Sequence, residues 1–581
     1  MDRSWVVIGL SAVIVLGMYV GFAVGVGVVH DSLLHESGFE ANSSSPGQFS
    51  EDDLTDGSGN LQFEPVDVGL DYTYESTMQS YQEALISNAG VYVEDYNSNG
   101  KDDVLAIGGP EPVLFENVGG AFEATDAIPH ISGFVRAAHW IDYDGSGEPD
   151  LILFVDDGPP VLLENNDGQF EKRPDEFDMS LAVPKGATSA DYTGDGNLDL
   201  FVYQNGDWND RLPAAHSNYS IPINEDNGNP DYLYRNTGDG FELVEDAGIT
   251  GDRWTLAASF VDLTNNGLPD IHTANDINHD VVYLNRGDGT FEQVQLPERT
   301  NRNGMSSEVA DVTGNGHLDV FVTNVYYPDW AVGTMLPGLE IHAGGNNLIS
   351  PQGEDSFVMR EDQFGLEAGG WGWAAVIDDF TNNGQQDIVH TTSDLEFNAR
   401  DLSFTPDEVE ELNAYEFFSY PVVFERDGEN SFEQLSAERT GFDSMDSRGM
   451  ASLDYNQDGT LDLVIATTDG YQVYENQNND HNAIFVDVRD ETGSYSGAYG
   501  ATITVDDGVR EQTRHVHDRQ DFLTQNSRLA HVGIGSQPEA DVHVVWPDGT
   551  ERTFEDIEAG HRIVVTPDGI QTEEGRSSGD D

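Results

Sequence analysis

The sequence predicts an all-β protein: a seven-bladed β-propeller with calcium loops, a C-terminal β-sandwich domain, and an N-terminal transmembrane helix. Three observations predict it. An acidic nonapeptide recurs seven times, each copy followed by a short β-type apolar run. A Gly-turn hairpin ending in Phe-Glu recurs between those copies. An uncharged stretch from Trp5 to Val29 opens the chain.

Size and composition narrow the class first. With 581 residues, the chain exceeds what one hydrophobic core supports, so several domains are expected. A hydrophobic content of 38% is enough for packed cores and excludes disorder throughout. The 107 acids against 25 Lys+Arg give a net charge of −82, which repels polyanions and excludes a nucleic-acid partner. Lys101, Lys172 and Lys185 are the only lysines. This acid-coated, Lys-poor composition resembles that of proteins adapted to molar salt, where screening reduces self-repulsion, so a salt-loving, haloarchaeal source is expected. There is no cysteine, which excludes disulfides, thiolate chemistry and Cys-ligated metals.

Residues 1–30 read as a membrane anchor. The apolar stretch is long enough to span ~30 Å of hydrocarbon and too long for the core of a cleaved signal peptide. Arg3 precedes it and Asp31 and Glu36 follow, so the positive-inside bias puts the bulk of the chain outside the cell. Gly17, Gly21 and Gly25 share a four-residue spacing that could pair helices. Residues 31–60, with SSSPG and EDDLTDGSGN, read as a disordered acidic linker. The propeller is assigned to 61–480, the β-domain to 481–567, and a disordered tail to 568–581.

The repeat has the form D-x-[DNT]-x-[DNS]-G-x-x-D. Its copies begin at Asp95, Asp142, Asp191, Asp262, Asp311, Asp379 and Asp454, with steps of 47, 49, 71, 49, 68 and 75 residues. Alternate side chains at positions 1, 3 and 5 converge around a tight turn, and the Gly at position 6 permits the positive φ it needs. The Asp at position 9 adds a second carboxylate, and such a set of hard oxygens suits Ca²⁺. Candidate metal ligands are therefore Asp95, Asn97, Asn99 and Asp103 in the first loop, and Asp142, Asp144, Ser146 and Asp150 in the second. The third offers Asp191, Thr193, Asp195 and Asp199, and the fourth Asp262, Thr264, Asn266 and Asp270. The fifth offers Asp311, Thr313, Asn315 and Asp319, and the sixth Asp379, Thr381, Asn383 and Asp387. The seventh offers Asp454, Asn456, Asp458 and Asp462, so up to seven Ca²⁺ ions are expected.

An EF-hand is rejected, because position 12 holds Ala106, Leu153, Val202, Thr273, Val322, His390 and Ile465 rather than a bidentate Glu. The runs that follow, such as DVLAIG and DLILFV, are strands, so each loop joins two strands. The second, third and seventh loops carry three carboxylates and the others two, and ligand charge helps set affinity. Any single copy could instead be an Asp/Asn turn held by side-chain-to-backbone bonds without metal.

The hairpins VLFENVGGAFE, VLLENNDGQFE, YLYRNTGDGFE, VVYLNRGDGTFE and VVFERDGENSFE complete four strands per unit, each with Phe on the buried return strand. Four-stranded units at this spacing indicate a propeller. The last unit lacks a fourth strand, and FEPVDVGL (Phe63–Leu70) is that element standing alone. It should therefore complete the last blade and close the ring. Beyond His481 the strands alternate (AIFVDV, ATITV, DVHVVW, RIVVT), as in a small sandwich.

The loops and hairpins resemble FG-GAP/VCBS repeats, the unit of integrin α-chain propellers. SGAYGATITV, FLTQNSRLAHVGIG and VHVVWPDGTERTF resemble the ASPIC/UnbV domain, and the order matches the cartilage acidic protein family. Departures are the Thr at position 3 and His531-Val532 where that family shows His-Phe. The resemblance implies an extracellular propeller with an appended β-domain and no established chemistry.

The long steps place extra residues after the second strand, at Asn205–Pro230, Val325–Asn346 and Asp394–Tyr420. These insertions must leave the face opposite the acidic loops. They carry Trp208, Tyr219, Tyr326, Tyr327, Trp330, Phe397, Tyr415, Phe417 and Tyr420, and the last holds a short helix capped by Thr405 with Pro406 at its first position. A cell-surface or extracellular glycan or protein ligand is expected there, unless the aromatics merely pack the insertions down. No HExxH, G-x-S-x-G elbow or cysteine nucleophile is present, and GSYSG puts Ser496 in the wrong place for an elbow. The expected function is ligand binding or adhesion at the cell surface, with no enzymatic activity. The alternative is a polysaccharide lyase or hydrolase on a calcium-stabilised propeller. Asn42-Ser43-Ser44 and Asn218-Tyr219-Ser220 are compatible with glycosylation.

Overall fold

Seven antiparallel sheets follow one another along the chain, each built around one acidic loop. The computed structural model describes residues 61–572 except 73–88, 110, 157, 174–176, 178–180, 207–227, 239, 277, 298–302, 329–343, 354, 394–418, 429–430 and 479–480. The anchor, the linker, the Thr405 helix and most of the three insertions lie outside the described residues. Among the described residues, no helix is long and apolar enough to cross a membrane.

The first sheet is Gly90–Glu94, Asp103–Ile107, Val113–Asn117 and Phe122–Ala124, and the second Val135–Ile141, Asp150–Val155, Val161–Asn166 and Gln169–Arg173. The third is Pro184–Ala190, Asp199–Gln204, Tyr232–Asn236 and Phe241–Leu243. The fourth is Asp252–Val261, Asp270–Asp276, Val281–Asn285 and Phe291–Val294, with Asn229–Pro230 on its edge. The fifth is Glu308–Ala310, Asp319–Val322, Asn347–Pro351 and Phe357–Met359. The sixth is Gly372–Asp378, Asp387–Thr392, Val422–Arg426 and Phe432–Leu435. The seventh takes Ser447–Leu453, Asp462–Thr467 and Gly470–Asn476, then borrows Phe63–Val66 as its fourth strand. Phe63 pairs with Asn476 and Val66 with Val473, which is the closure read from FEPV. The result is an all-β, propeller-like fold.

The first strands of the sheets are buried along almost their whole length, because they are covered on both faces and read as continuous apolar or small-residue runs (GVYVE, PKGATSA, SRGMASL). The Phe of each return strand is buried as well: Phe122, Phe170, Phe241, Phe291 and Phe432. Four of these rings pack at a tilt against the second residue of the preceding acidic loop: Phe170 on Tyr96, Phe122 on Tyr455, Phe241 on Tyr143 and Phe291 on Tyr192. The aromatic at position 2 thus fills the space between neighbouring sheets.

The C-terminal domain is a pair of four-stranded sheets. One holds Ala530–Gly535, Asn482–Val488, Arg562–Thr566 and Gly569–Thr572 in that order. The other holds Glu511–His515, Thr502–Asp506, Glu539–Val545 and Glu551–Glu558. Ile484, Val486, Ile503, Val505, Val542 and Val544 are buried in the core they share. The domain extends past the Pro567 boundary drawn from the sequence: Gly569–Thr572 is an edge strand antiparallel to Arg562–Thr566. Gly569 to Thr572 have tail-like composition, but the hairpin pairs them with the largely buried strand Arg562–Thr566.

The C-terminal domain also sends a hairpin into the middle of the ring of sheets. Gln520–Asp521 pairs with Thr524–Gln525, and the latter runs parallel to Gly90–Glu94 of the first sheet. Its polar groups cap the first strands of successive sheets. Leu523 O accepts Val91 N–H at 3.0 Å, Gln525 Oε1 accepts Trp140 N–H at 2.7 Å, and Asp518 Oδ2 accepts Ser189 N–H at 2.7 Å. Asp521 accepts Ser307 N–H at 2.6 Å and Ala375 N–H at 2.7 Å, and Thr524 Oγ1 accepts Met450 N–H at 2.9 Å. At the tip, Phe522 packs against Trp373. The hairpin therefore plugs the channel that a ring of sheets leaves at its axis, and satisfies donors that would otherwise face an empty space.

Candidate metal centre

Each acidic loop closes on its own first residue. The position-1 carboxylate accepts the N–H of the position-6 Gly in all seven loops, from 2.7 Å at Gly196 to 3.0 Å at Gly147. In six loops its other oxygen accepts the position-5 N–H, for example Asn99 to Asp95 at 2.9 Å and Asn315 to Asp311 at 2.9 Å. The position-5 side chain in turn accepts the position-7 N–H, as Asn383 does from Gln385 at 2.7 Å. The glycines make this turn possible: Gly100, Gly147 and Gly196 have φ of 83°, 84° and 91°.

The second carboxylate, at position 9, starts the next strand and is fully buried in every loop. In six loops it accepts a backbone N–H at the end of the third strand, from Asn117, Asn236, Asn285, Arg426 and Asn476 as last residues and from Asn165 one before the end, at 2.7–2.9 Å. The fifth loop has Pro351 at that point, which has no N–H to give. Burial pushes these carboxyls up, Asp103 and Asp150 to about 9, Asp199 to about 8 and Asp270 to about 7, with partial relief from the backbone donor. Asp142 and Asp379 are raised to about 6 by burial and Asp454 to about 7.

The loops differ in how far their acids converge. Asp142, Asp144 and Asp150 place their ligand atoms within 4.8 Å of one another, and no other repeat loop among the described residues does so. Asp142 Oδ1 is also the exception to the closing pattern, buried without a hydrogen-bond partner. The third loop has three carboxylates too, but Arg235 draws Asp195 away at 2.9 Å. In the seventh, Asp458 is taken up by Thr460 and Asn456 at 2.6 and 3.1 Å. In three of the four loops with Thr at position 3, its hydroxyl turns back onto a loop carboxylate, Thr193 to Asp191, Thr264 to Asp270 and Thr381 to Asp379. In the first loop Asn97 reaches Glu116 instead, and in the fifth Thr313 N–H caps Asp319 at 2.7 Å. A second acidic group, Glu361, Asp362 and Glu367, lies outside the repeats at the fifth sheet, and no repeat pattern pointed to it.

The face bearing the acidic loops carries the C-terminal domain. The half-buried Arg562 stands 3.3 Å from Asp95, and the buried Arg528 bridges Glu94 at 2.7 Å and Asp487 at 3.0 Å. Ser494 donates its hydroxyl to Asp142. Gly535 N–H bonds Asn382 O at 2.9 Å, and His481 Nδ1 lies 3.0 Å from Thr381 O. A cleft between this domain and the fifth and sixth loops is lined by Arg514, His515, His517, Glu308 and Asp311. Burial holds His517 down at about 3, so it is neutral. The described ends of the first insertion sit at the other end of the strands: Asn205 N–H bonds Val183 O, and Asn229–Pro230 pairs with Asp252–Arg253 where the fourth sheet begins.

Sequence comparison bears on the same segments. A model of the FG-GAP-like repeat matches residues 95–153, 142–202 and 262–322, and a model described as ASPIC and UnbV matches 491–572. No curated protein matches the chain. Among solved structures, an Agrocybe aegerita lectin, described for specific recognition of non-reducing terminal N-acetylglucosamine, aligns at 18% identity. The alignment covers 70% of this chain and 96% of the lectin, with a TM-score of 0.39. The extracellular domain of a hybrid two-component system from B. thetaiotaomicron aligns at 8% identity over 85% of this chain and 57% of its own, with a TM-score of 0.40. At these TM-scores both likenesses are distant, and the reading of the site stands on the loops themselves.

Proposed function

We propose that this chain, which carries FG-GAP-like repeats and a C-terminal ASPIC and UnbV domain, is a calcium-binding, seven-bladed propeller that binds a carbohydrate or protein ligand outside the cell. Its N-terminal apolar stretch anchors it in the membrane, and the insertion face meets the ligand. The observation that carries this reading is the hairpin Gln520–Gln525. It fills the axis, while the rest of its domain occupies the acidic-loop face at the first, second and sixth loops. The face left for a partner is the one from which the second-to-third-strand insertions emerge, and those insertions supply Trp208, Trp330 and Tyr415. Calcium belongs to the loops, where two or three carboxylates and further side-chain oxygens share one tight turn.

The test is a glycan-array and cell-surface pull-down screen of the purified full chain in molar salt with calcium. Retention of a ligand, weakened by a Trp208→Ala/Trp330→Ala double variant that unfolds at the same temperature, is the expected result. Ligand retention that the double variant leaves untouched would move the site off the insertion face. Failure to retain any ligand would end the binding reading.

A further inference from the structure

One acidic loop is shared between two domains. Asp142 is fully buried, and its Oδ2 accepts both the Gly147 N–H at 3.0 Å and the hydroxyl of Ser494 from the C-terminal domain. Its Oδ1 has no hydrogen-bond partner, although the equivalent oxygen in the other six loops accepts the position-5 N–H. That oxygen belongs to the one repeat loop whose three carboxylates converge within 4.8 Å. The seam is close-packed: a Cβ on Gly147 would meet Gly493 O at 2.9 Å. Behind Ser494, its hydroxyl lies 2.6 Å from that of Ser496, and its N–H bonds Asp490 at 3.0 Å.

We propose that a divalent cation of the calcium class, held by Asp142, Asp144 and Asp150, clasps the C-terminal domain onto the propeller through Ser494. The inference rests on the calcium reading above and adds to it an interdomain role for one site. The physical chain is short. The cation is held by Oδ1 of Asp142 and keeps that carboxylate ionised, so Oδ2 is a charge-assisted acceptor for Ser494. Ser494 in turn fixes the carboxylate's orientation, as outer partners of metal ligands do. Without the cation, three carboxylates crowd together and the Asp142 side chain has reason to turn, which pulls the acceptor away from the seam. Coupling of this kind is reciprocal, so the seam must also tighten the cation.

The experiment uses the full chain in molar potassium chloride, titrated with Ca²⁺ by calorimetry and followed by hydrogen–deuterium exchange, with calcium or with a chelator. Exchange over Asp490–Ala498 should slow in calcium and quicken in the chelator. Asp144→Asn, at an exposed ligand that does not touch the seam, should abolish that difference. Ser494→Ala should weaken one calcium site by about 10–100-fold while leaving the others unchanged. Calcium binding with unaltered exchange over Asp490–Ala498 overturns the clasp and leaves the calcium reading standing. Absence of any calcium binding overturns both, and the calorimetry tells the two apart.

Discussion

Asn165 shows how one side chain can serve two sheets. Its backbone N–H bonds Asp150 at 2.8 Å, its Oδ1 accepts Gly168 N–H at 2.9 Å, and its Nδ2 reaches Tyr96 O in the preceding sheet at 2.8 Å. The same bridge recurs at Asn117 to Tyr455 O, Asn236 to Tyr143 O, Asn285 to Tyr192 O and Asn476 to Phe380 O. Arg426 replaces it in the sixth sheet, reaching Val312 O at 2.6 Å. The Asn117 bridge is the one that ties the first sheet to the seventh. Asn165→Ala should strand a buried carbonyl and a turn N–H, at a cost of about 1–3 kcal/mol, and lower the unfolding temperature by a few degrees. Asn165→Asp keeps the acceptor and loses the Nδ2 donor to Tyr96 O and Pro149 O, but sets a carboxylate beside Asp150, so it should be the worse of the two. Equal unfolding temperatures for wild type and Asn165→Ala in a thermal scan would show that the bridges are incidental. The signal was present in the sequence as the Asn of VLFEN, VLLEN, YLYRN and VVYLN. Residue pattern alone assigns it to the hairpin turn, because no local rule says that its side chain faces the neighbouring sheet.

At the scale of elements, the strands, their order and the borrowed Phe63–Val66 strand were legible, since period-two burial and turn residues are local properties. The plug was not. FLTQNSRLAHVGIG reads as turn and strand, and nothing in its own pattern records the channel that receives it. Its chemistry is visible only with the ring around it: Asp518 is buried, accepts Ser189 N–H, and burial raises its carboxyl to about 7. Because that value lies above the ordinary carboxylate range, the folded state holds the proton more tightly than the unfolded chain. The contribution of Asp518 to stability is therefore full below about pH 4 and lost as pH rises through about 7. Asp518→Asn should flatten the decline of unfolding temperature between about pH 4 and 7 (measured against wild type in chelator and molar salt). A steeper decline in the variant would contradict the assignment.

The whole molecule carries −82 charges, and seven of its acids, the position-9 Asp residues, are fully buried at the heart of the loops. These two sets of charge answer to different ions. Surface carboxylates repel one another over distances that molar salt screens, with a Debye length of about 3 Å at 1 M. The loop carboxylates are shielded from that screening by burial, and a monovalent ion cannot match several converging oxygens as Ca²⁺ does. Under the calcium reading proposed above, Ca²⁺ would bind the folded loop alone, so adding it should raise the unfolding temperature even when salt is already molar. A single site at 100 times its dissociation constant contributes about 2.7 kcal/mol, and several sites add in proportion to their occupancy. The second loop should contribute most, because its acids already converge, whereas the third, fourth and sixth loops turn their Thr hydroxyls onto their own carboxylates. Replacing Asp142, Asp144 and Asp150 together by Asn should thus remove a larger part of the calcium effect than the matching change at Asp262 and Asp270. The measurement is thermal unfolding of the full chain in molar salt, with calcium and with chelator, for wild type and both variants. Unfolding at one temperature regardless of calcium would mean that the loops are turns sufficient to themselves, and a calcium effect that the second-loop variant leaves intact would place the metal elsewhere in the repeats.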